Sequence, residues 1–173
     1  ILSSGSRTNP WMQESSNKII QDGEIVSFDT DMVGPYGYCA DISRAFVCGN
    51  KFNEHQKKIY STAVEQIDYN SRLIKDGVSF REFTEKAWIL PEKYYGNRYS
   101  VMLHGIGLCD EWPAIRYPTD GGERSGIFQK NMTITLESYI GEVGGHEGVK
   151  LEQQYLVGEN GLELMSHHPL EQI

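Results

Sequence analysis

The sequence predicts an α+β fold, with helices on one face of a mostly antiparallel sheet. Three observations predict it: two strand-like runs joined by a turn, two amphipathic helical stretches, then three more strand-like runs. Single strands and helices do not alternate, which argues against a parallel sheet. No internal repeat, low-complexity tract or linker interrupts the 173 residues, so the chain reads as one domain, 1–173.

Residues 1–23 are polar and turn-rich. Residues 25–31 follow as a strand, and Gly34-Pro35-Tyr36-Gly37 as a turn. Residues 38–47 then pair back as a hairpin. Asn53 caps a helix whose apolar positions Ile59, Ala63, Ile67 and Ile74 keep near-helical spacing. Ser79 with Glu82 has the form of a capping box, and Phe80, Phe83, Ala87 and Leu90 follow at helical spacing until Pro91 ends the helix. Beyond these lie strand-like runs at 99–103, 132–140 and 148–157.

Composition excludes several classes. A formal net charge of −8 opposes nucleic acid as a partner, because phosphate binding needs a basic surface. No apolar run approaches the ~20 residues of a membrane span. Cys39, Cys48 and Cys109 form no C-x-x-C pair and no disulfide framework, which suits a reducing, cytoplasmic compartment. The first ten residues do not resemble a signal peptide and begin without Met; the expectation is a chain lacking an N-terminal part.

The carboxylates carry the chemistry. Asp29 and Asp31 are two apart on a strand and share a face, and the hairpin can bring Asp41 opposite them. Aspartate is depleted in strands, and three carboxylates on one patch repel each other unless cations lie between them. Glu137 shares a strand face with Thr133 and Thr135, while Ile134, Leu136 and Ile140 form the other. Glu152 is opposite in phase to Val149 and Leu151. His104 opens the run His-Gly-Ile-Gly-Leu. Singly, each of these is an ordinary structural residue; their conjunction and order change the reading.

That order resembles the pita-bread metallopeptidases: methionine aminopeptidases, prolidases and creatinase. Asp41, His104, Glu137 in Thr-x-Glu, and Glu152 in Gly148-Val149-Lys150-Leu151-Glu152 match the family's motifs residue by residue. The resemblance implies the C-terminal portion of a pita-bread fold. It also implies two metal ions held by Asp29, Asp31, Asp41, His104, Glu137 and Glu152. Oxygen donors with a single nitrogen hold iron, manganese, cobalt or zinc and do not discriminate among them by affinity alone; iron is the metal expected, with zinc, manganese or cobalt as alternatives. Two such ions can clamp a carboxylate substrate or activate a shared water.

Departures from the peptidase pattern narrow the reading. The peptidases read His-Gly-x-Gly-x-x-x-His-Glu-x-Pro. Here the run His104-Gly105-Ile106-Gly107-Leu108-Cys109-Asp110-Glu111-Trp112-Pro113 is one residue shorter and has Asp110 in place of the second histidine. Glu-Pro-Gly becomes Glu137-Ser138-Tyr139. This pattern is similar to the peptidase-like dimethylsulfoniopropionate lyases. The hairpin sequence from Phe28 to Cys39 and Thr8-Asn9-Pro10-Trp11 carry that narrower likeness.

The narrower resemblance implies Asp110 as catalytic base and Tyr99 as a second catalytic residue in the pocket, giving acrylate and dimethyl sulfide by β-elimination. Aromatic faces attract a sulfonium by ~0.5–2 kcal/mol each, which makes Trp112, Tyr36 and Tyr38 candidate substrate contacts beside their alternative as packing or turn residues. A metal-dependent Xaa-Pro peptidase and an inactive pita-bread binding protein are the other readings. The resemblance also implies a preceding N-terminal domain, a homodimer when the protein is full length, and a small-molecule substrate.

Overall fold

The computed structural model describes residues 1–49, 51–121 and 125–171. The predicted α+β class holds. Strands β1 (Leu2–Ser4), β2 (Ile25–Val33) and β3 (Cys39–Val47) form a three-stranded antiparallel sheet with β2 in the middle. After helices α1 (Glu54–Ser71), α2 (Phe80–Lys86) and α3 (Glu92–Tyr95) come strands β4 (Val101–Gly105), β5 (Ala114–Arg116), β6 (Thr133–Gly141), β7 (Gly148–Val157) and β8 (Leu162–Leu164). These form a second antiparallel sheet in the order β5-β4-β6-β7-β8.

The β2–β3 hairpin pairs without interruption from Ile25 opposite Val47 to Val33 opposite Cys39. Helix α1 starts at a complete capping box: Asn53 Oδ1 accepts from Gln56 N–H at 2.9 Å and Gln56 Oε1 accepts from Asn53 N–H at 2.8 Å. Its face of Ile59, Ala63 and Ile67 is buried over β6 and β7. One apolar core runs from Ile25 and Ala45 in the small sheet, through α1 and α2, to Leu136, Val149 and Leu151 in the large one.

Several boundaries differ from the sequence reading. Helix α1 stops at Ser71, and Ile74 reaches the core from the turn beyond it. Helix α2 stops at Lys86, because Ala87 takes extended backbone; Leu90 is buried from a loop, and Pro91 leads into α3. At Ser79 only half of the box forms: Ser79 Oγ accepts from Glu82 N–H, while the Glu82 carboxylate pairs with Lys86 at 2.7 Å. The N-terminal stretch contains β1 and a 3-10 turn at Gly5–Thr8. His104 lies within β4, and Tyr99 precedes that strand. No helix among the described residues is long and apolar enough to cross a membrane.

Candidate metal centre

Strand register assembles the cage. Across the small hairpin Asp31 is opposite Asp41 and Asp29 opposite Ser43. Across the large hairpin Glu137 is opposite Glu152, and Tyr139 opposite Lys150. His104 is opposite Thr135, two residues from Glu137 on the same face of β6. Strand β3 lies against β7, which turns the carboxylates of both hairpins toward one another. Arg44 helps to fix this contact, donating from Nη1 to the Glu152 carbonyl at 2.6 Å and from Nη2 to Gln153 Oε1 at 2.6 Å.

Two glycines of the motifs are there for space. A Cβ on Gly105 would collide with the Trp112 backbone carbonyl, so the loop after His104 can fold back over the strand only above glycine. A Cβ on Gly148 would strike the Tyr139 side chain, which is itself 3% exposed. The Tyr139 hydroxyl lies 2.9 Å from the Thr8 carbonyl and 2.8 Å from Asn9 Oδ1. That contact ties the N-terminal segment to the end of the β6–β7 hairpin.

Within the cage, His104 Nε2 is 3.2 Å from Glu137 Oε1, 3.4 Å from Glu152 Oε1 and 3.6 Å from Asp41 Oδ2. All four side chains are buried. His104 Nδ1 is 3.0 Å from the Gly105 carbonyl, the contact that orients an imidazole so that Nε2 is presented inward. A second group forms nearby: one carboxylate oxygen from each of Asp31, Asp41 and Asp110 lies within 4.8 Å of the others. Asp41 belongs to both groups.

Like charges at ~4 Å repel by roughly 1 kcal/mol in water and about 4 kcal/mol near a protein surface, so this cluster needs positive partners. Protons and one lysine can supply them. Burial, reinforced by Glu152, pushes the Asp41 carboxyl up to about 10. Burial and Glu152 likewise raise Glu137 to about 7. Burial alone would depress His104, but the adjoining Glu137 and Glu152 outweigh it and hold the imidazolium up at about 11. Burial would also raise Glu152, yet Lys150 and His104 bring it down to about 2.

The residues fit metal ions. Asp41 Oδ1 is buried with no hydrogen-bond partner among the described residues, and His104 Nε2 and Glu152 Oε1 are buried, 3.4 Å apart, without hydrogen-bond alignment. Orphaned donors and acceptors of this kind are costly unless something binds them. Hard carboxylate oxygens with one imidazole nitrogen are a donor set for a first-row transition metal.

Asp29 lies slightly apart, 3.7 Å from Lys150 Nζ and hydrogen-bonded by Ser43 Oγ. Asp31 is exposed at the rim, and Asp110 is half-buried. Tyr99 is half-buried beside the cage, its ring centroid 5.2 Å from Lys150 Nζ. Burial, then Glu137, raises its phenol above the ordinary range. Tyr36, Tyr38 and Trp112 are all exposed. Tyr38 and Trp112 border a cavity of about 390 Å³ with Leu103 and Gly105, which flank His104 and face the opposite side of β4. Tyr38 and Trp112 therefore line a cavity other than the cage, and Tyr36 stands exposed at the hairpin turn.

Lys150, Ser43 and Trp11 belong to the site and were not singled out from the sequence. Lys150 was detectable, since it is two residues before Glu152 and shares its strand face. Trp11 stood in the Thr8-Asn9-Pro10-Trp11 segment that carries the narrower likeness, but its place beside the cage depends on how the N-terminal segment docks.

The profile of metallopeptidase family M24 matches residues 1–159. The chain is 39% identical over 175 residues to the dimethylsulfoniopropionate lyase DddP of Roseovarius nubinhibens, covering 99% of this chain and 39% of that protein. The lyase of the same name from Roseobacter denitrificans gives the same identity and coverage. The prolidase of Pyrococcus horikoshii is similar in structure, with a TM-score of 0.81 at 28% identity over 100% of this chain and 48% of that one. The chain thus spans less than half the length of these relatives. The fold is that of the pita-bread proteins, matching their C-terminal portion.

Proposed function

The chain belongs to metallopeptidase family M24, and on that premise we propose that it is the metal-binding part of a lyase that cleaves dimethylsulfoniopropionate to dimethyl sulfide and acrylate. The observation that carries this reading is Asp110. It stands where the peptidases keep a histidine, and its carboxylate lies with those of Asp31 and Asp41. The 39% identity to two dimethylsulfoniopropionate lyases supports the reading.

Asp29, Asp31, Asp41, His104, Glu137 and Glu152 would hold two ions, iron first among the candidates. When bound, these ions supply electrostatic attraction for the substrate carboxylate and acidify its α-proton. Asp110 takes that proton as general base. The C–H electron pair becomes the new carbon–carbon double bond, and the carbon–sulfur pair leaves with dimethyl sulfide. Asp110 ends protonated and acrylate remains. Tyr99, beside the cage, offers an aromatic face to the sulfonium. Tyr36, Tyr38 and Trp112 stand exposed and are not given that role.

The test is dimethyl sulfide release from dimethylsulfoniopropionate by the purified, metal-loaded full-length protein, with an Xaa-Pro dipeptide as control. Release of the thioether without dipeptide cleavage supports the lyase. Dipeptide cleavage alone would return the protein to the peptidase reading.

A further inference from the structure

Lys150 is the one ammonium among the described residues that enters the cage, and it is 2% exposed. A lysine this deeply buried is rare unless paired. Its ammonium pairs with Glu137 Oε2, lies 3.5 Å from Glu152 Oε2 and 3.7 Å from Asp29 Oδ1, and donates to Ser43 Oγ at 2.9 Å. Two aromatic rings also approach it, with the Trp11 ring centroid at 5.7 Å and that of Tyr99 at 5.2 Å.

The two oxygens of each glutamate are thereby divided. Oε2 of Glu137 and of Glu152 faces Lys150, while Oε1 of each faces His104 at 3.2 and 3.4 Å. The lysine holds the outer oxygens, and the inner ones converge where a metal would bind. Charge points the same way. Asp29, Asp31, Asp41, Glu137 and Glu152 carry five negative charges when ionised, and Lys150 offsets one. The four that remain equal the charge of two divalent ions.

We propose that Lys150 is a resident cation of the cage, which keeps the glutamates in place and the site folded when metal is absent. It is a positioning residue, not a ligand. The inference rests on the cage being the metal site and goes beyond it by assigning a role in the metal-free state. A consequence follows by linkage. Removing the charge harms the metal-free protein most, because added ions supply the missing positive charge, so metal stabilises the variant more than the wild type.

The experiment compares wild type with Lys150→Met, which keeps the side-chain length and removes the charge. Both are melted metal-free and with manganese(II), and bound manganese is counted by elemental analysis. Breaking a buried ion pair in a protein of this size should lower the metal-free Tm by roughly 10 °C. Manganese should recover most of that loss, giving a larger metal-induced rise in Tm than in the wild type. A variant unfolded without metal and folded with it is the extreme of the same result. An equal loss with and without manganese, or no loss at all, overturns the proposal. If the wild type binds no manganese, the cage reading fails, and the lysine's role with it. If the wild type binds it and the variant behaves identically, only the lysine's role fails.

Discussion

Asp41 lies directly across the β2–β3 hairpin from Asp31, yet Asp41 is 4% exposed while Asp31 stands in solvent at the rim. Like charges at such a position destabilise a hairpin unless a cation lies between them. Burial distinguishes their roles, because Asp41 also reaches His104 and Glu152, and Asp31 does not. Asp41→Ala should therefore lose both ions, and Asp31→Ala at most one. Elemental analysis of the purified variants decides this. Two ions retained in Asp41→Ala would mean that Asp41 does not join the two groups.

Asp110 is expected to act as base and not as ligand. Asp110→Asn should keep its metal while turnover falls by roughly 10²–10⁴-fold, with kcat affected more than KM. Steady-state kinetics and metal content measured on the same preparation check both halves. Since the Asp110 carboxylate lies near those of Asp31 and Asp41, loss of metal in this variant would make it a ligand.

Metal affinity should rise between pH 6 and 8. In the metal-free protein His104, Asp41 and Glu137 are held at about 11, 10 and 7, above ordinary values of 6.5, 3.8 and 4.5. Each contributes stability below its ordinary value that is lost as pH rises through the folded one. Glu152, lowered to about 2, acts in the opposite sense and only below its ordinary value of 4.5. The metal-free protein should thus weaken from pH 5 to 9. Metal must displace the retained protons, so binding should release them. Calorimetric titration in buffers of different ionisation enthalpy measures that release, and a pH-independent affinity would contradict it.

Gly148→Ala should be destabilising although it lies outside the cage. The new methyl group would meet the buried Tyr139 side chain, whose hydroxyl holds the segment at Thr8 and Asn9. Overpacking of this kind costs about 1–3 kcal/mol. A thermal melt should show a Tm lower by about 5 °C. An unchanged melt would mean that Tyr139 moves aside freely.

Much of the site could be read along the chain because strands translate spacing into facing. Two residues apart means one face, so Asp29 with Asp31, and the turn at Gly34–Gly37, already implied Asp41 opposite. Helix ends were less legible. Ile74 and Leu90 are core residues at helical spacing, but each reaches the core from a turn or loop, since burial does not require the helix to continue. Strands β5 and β8 have three residues each, too few for any periodicity to register.

The sequence by itself determined the α+β class, the first hairpin and the candidate metal-holding residues, because these depend on local period and residue chemistry; the pairing of β6 with β7 came from the tertiary structure. The tertiary structure alone decided which carboxylates are buried. Asp31 and Asp41 face each other on one hairpin, and only the packing of β3 against β7 encloses one and leaves the other in water. It also decided that Trp112 and Tyr38 lie away from the cage and that Trp11 lies beside it. These outcomes depend on contacts between segments far apart in the chain, which local sequence pattern does not encode.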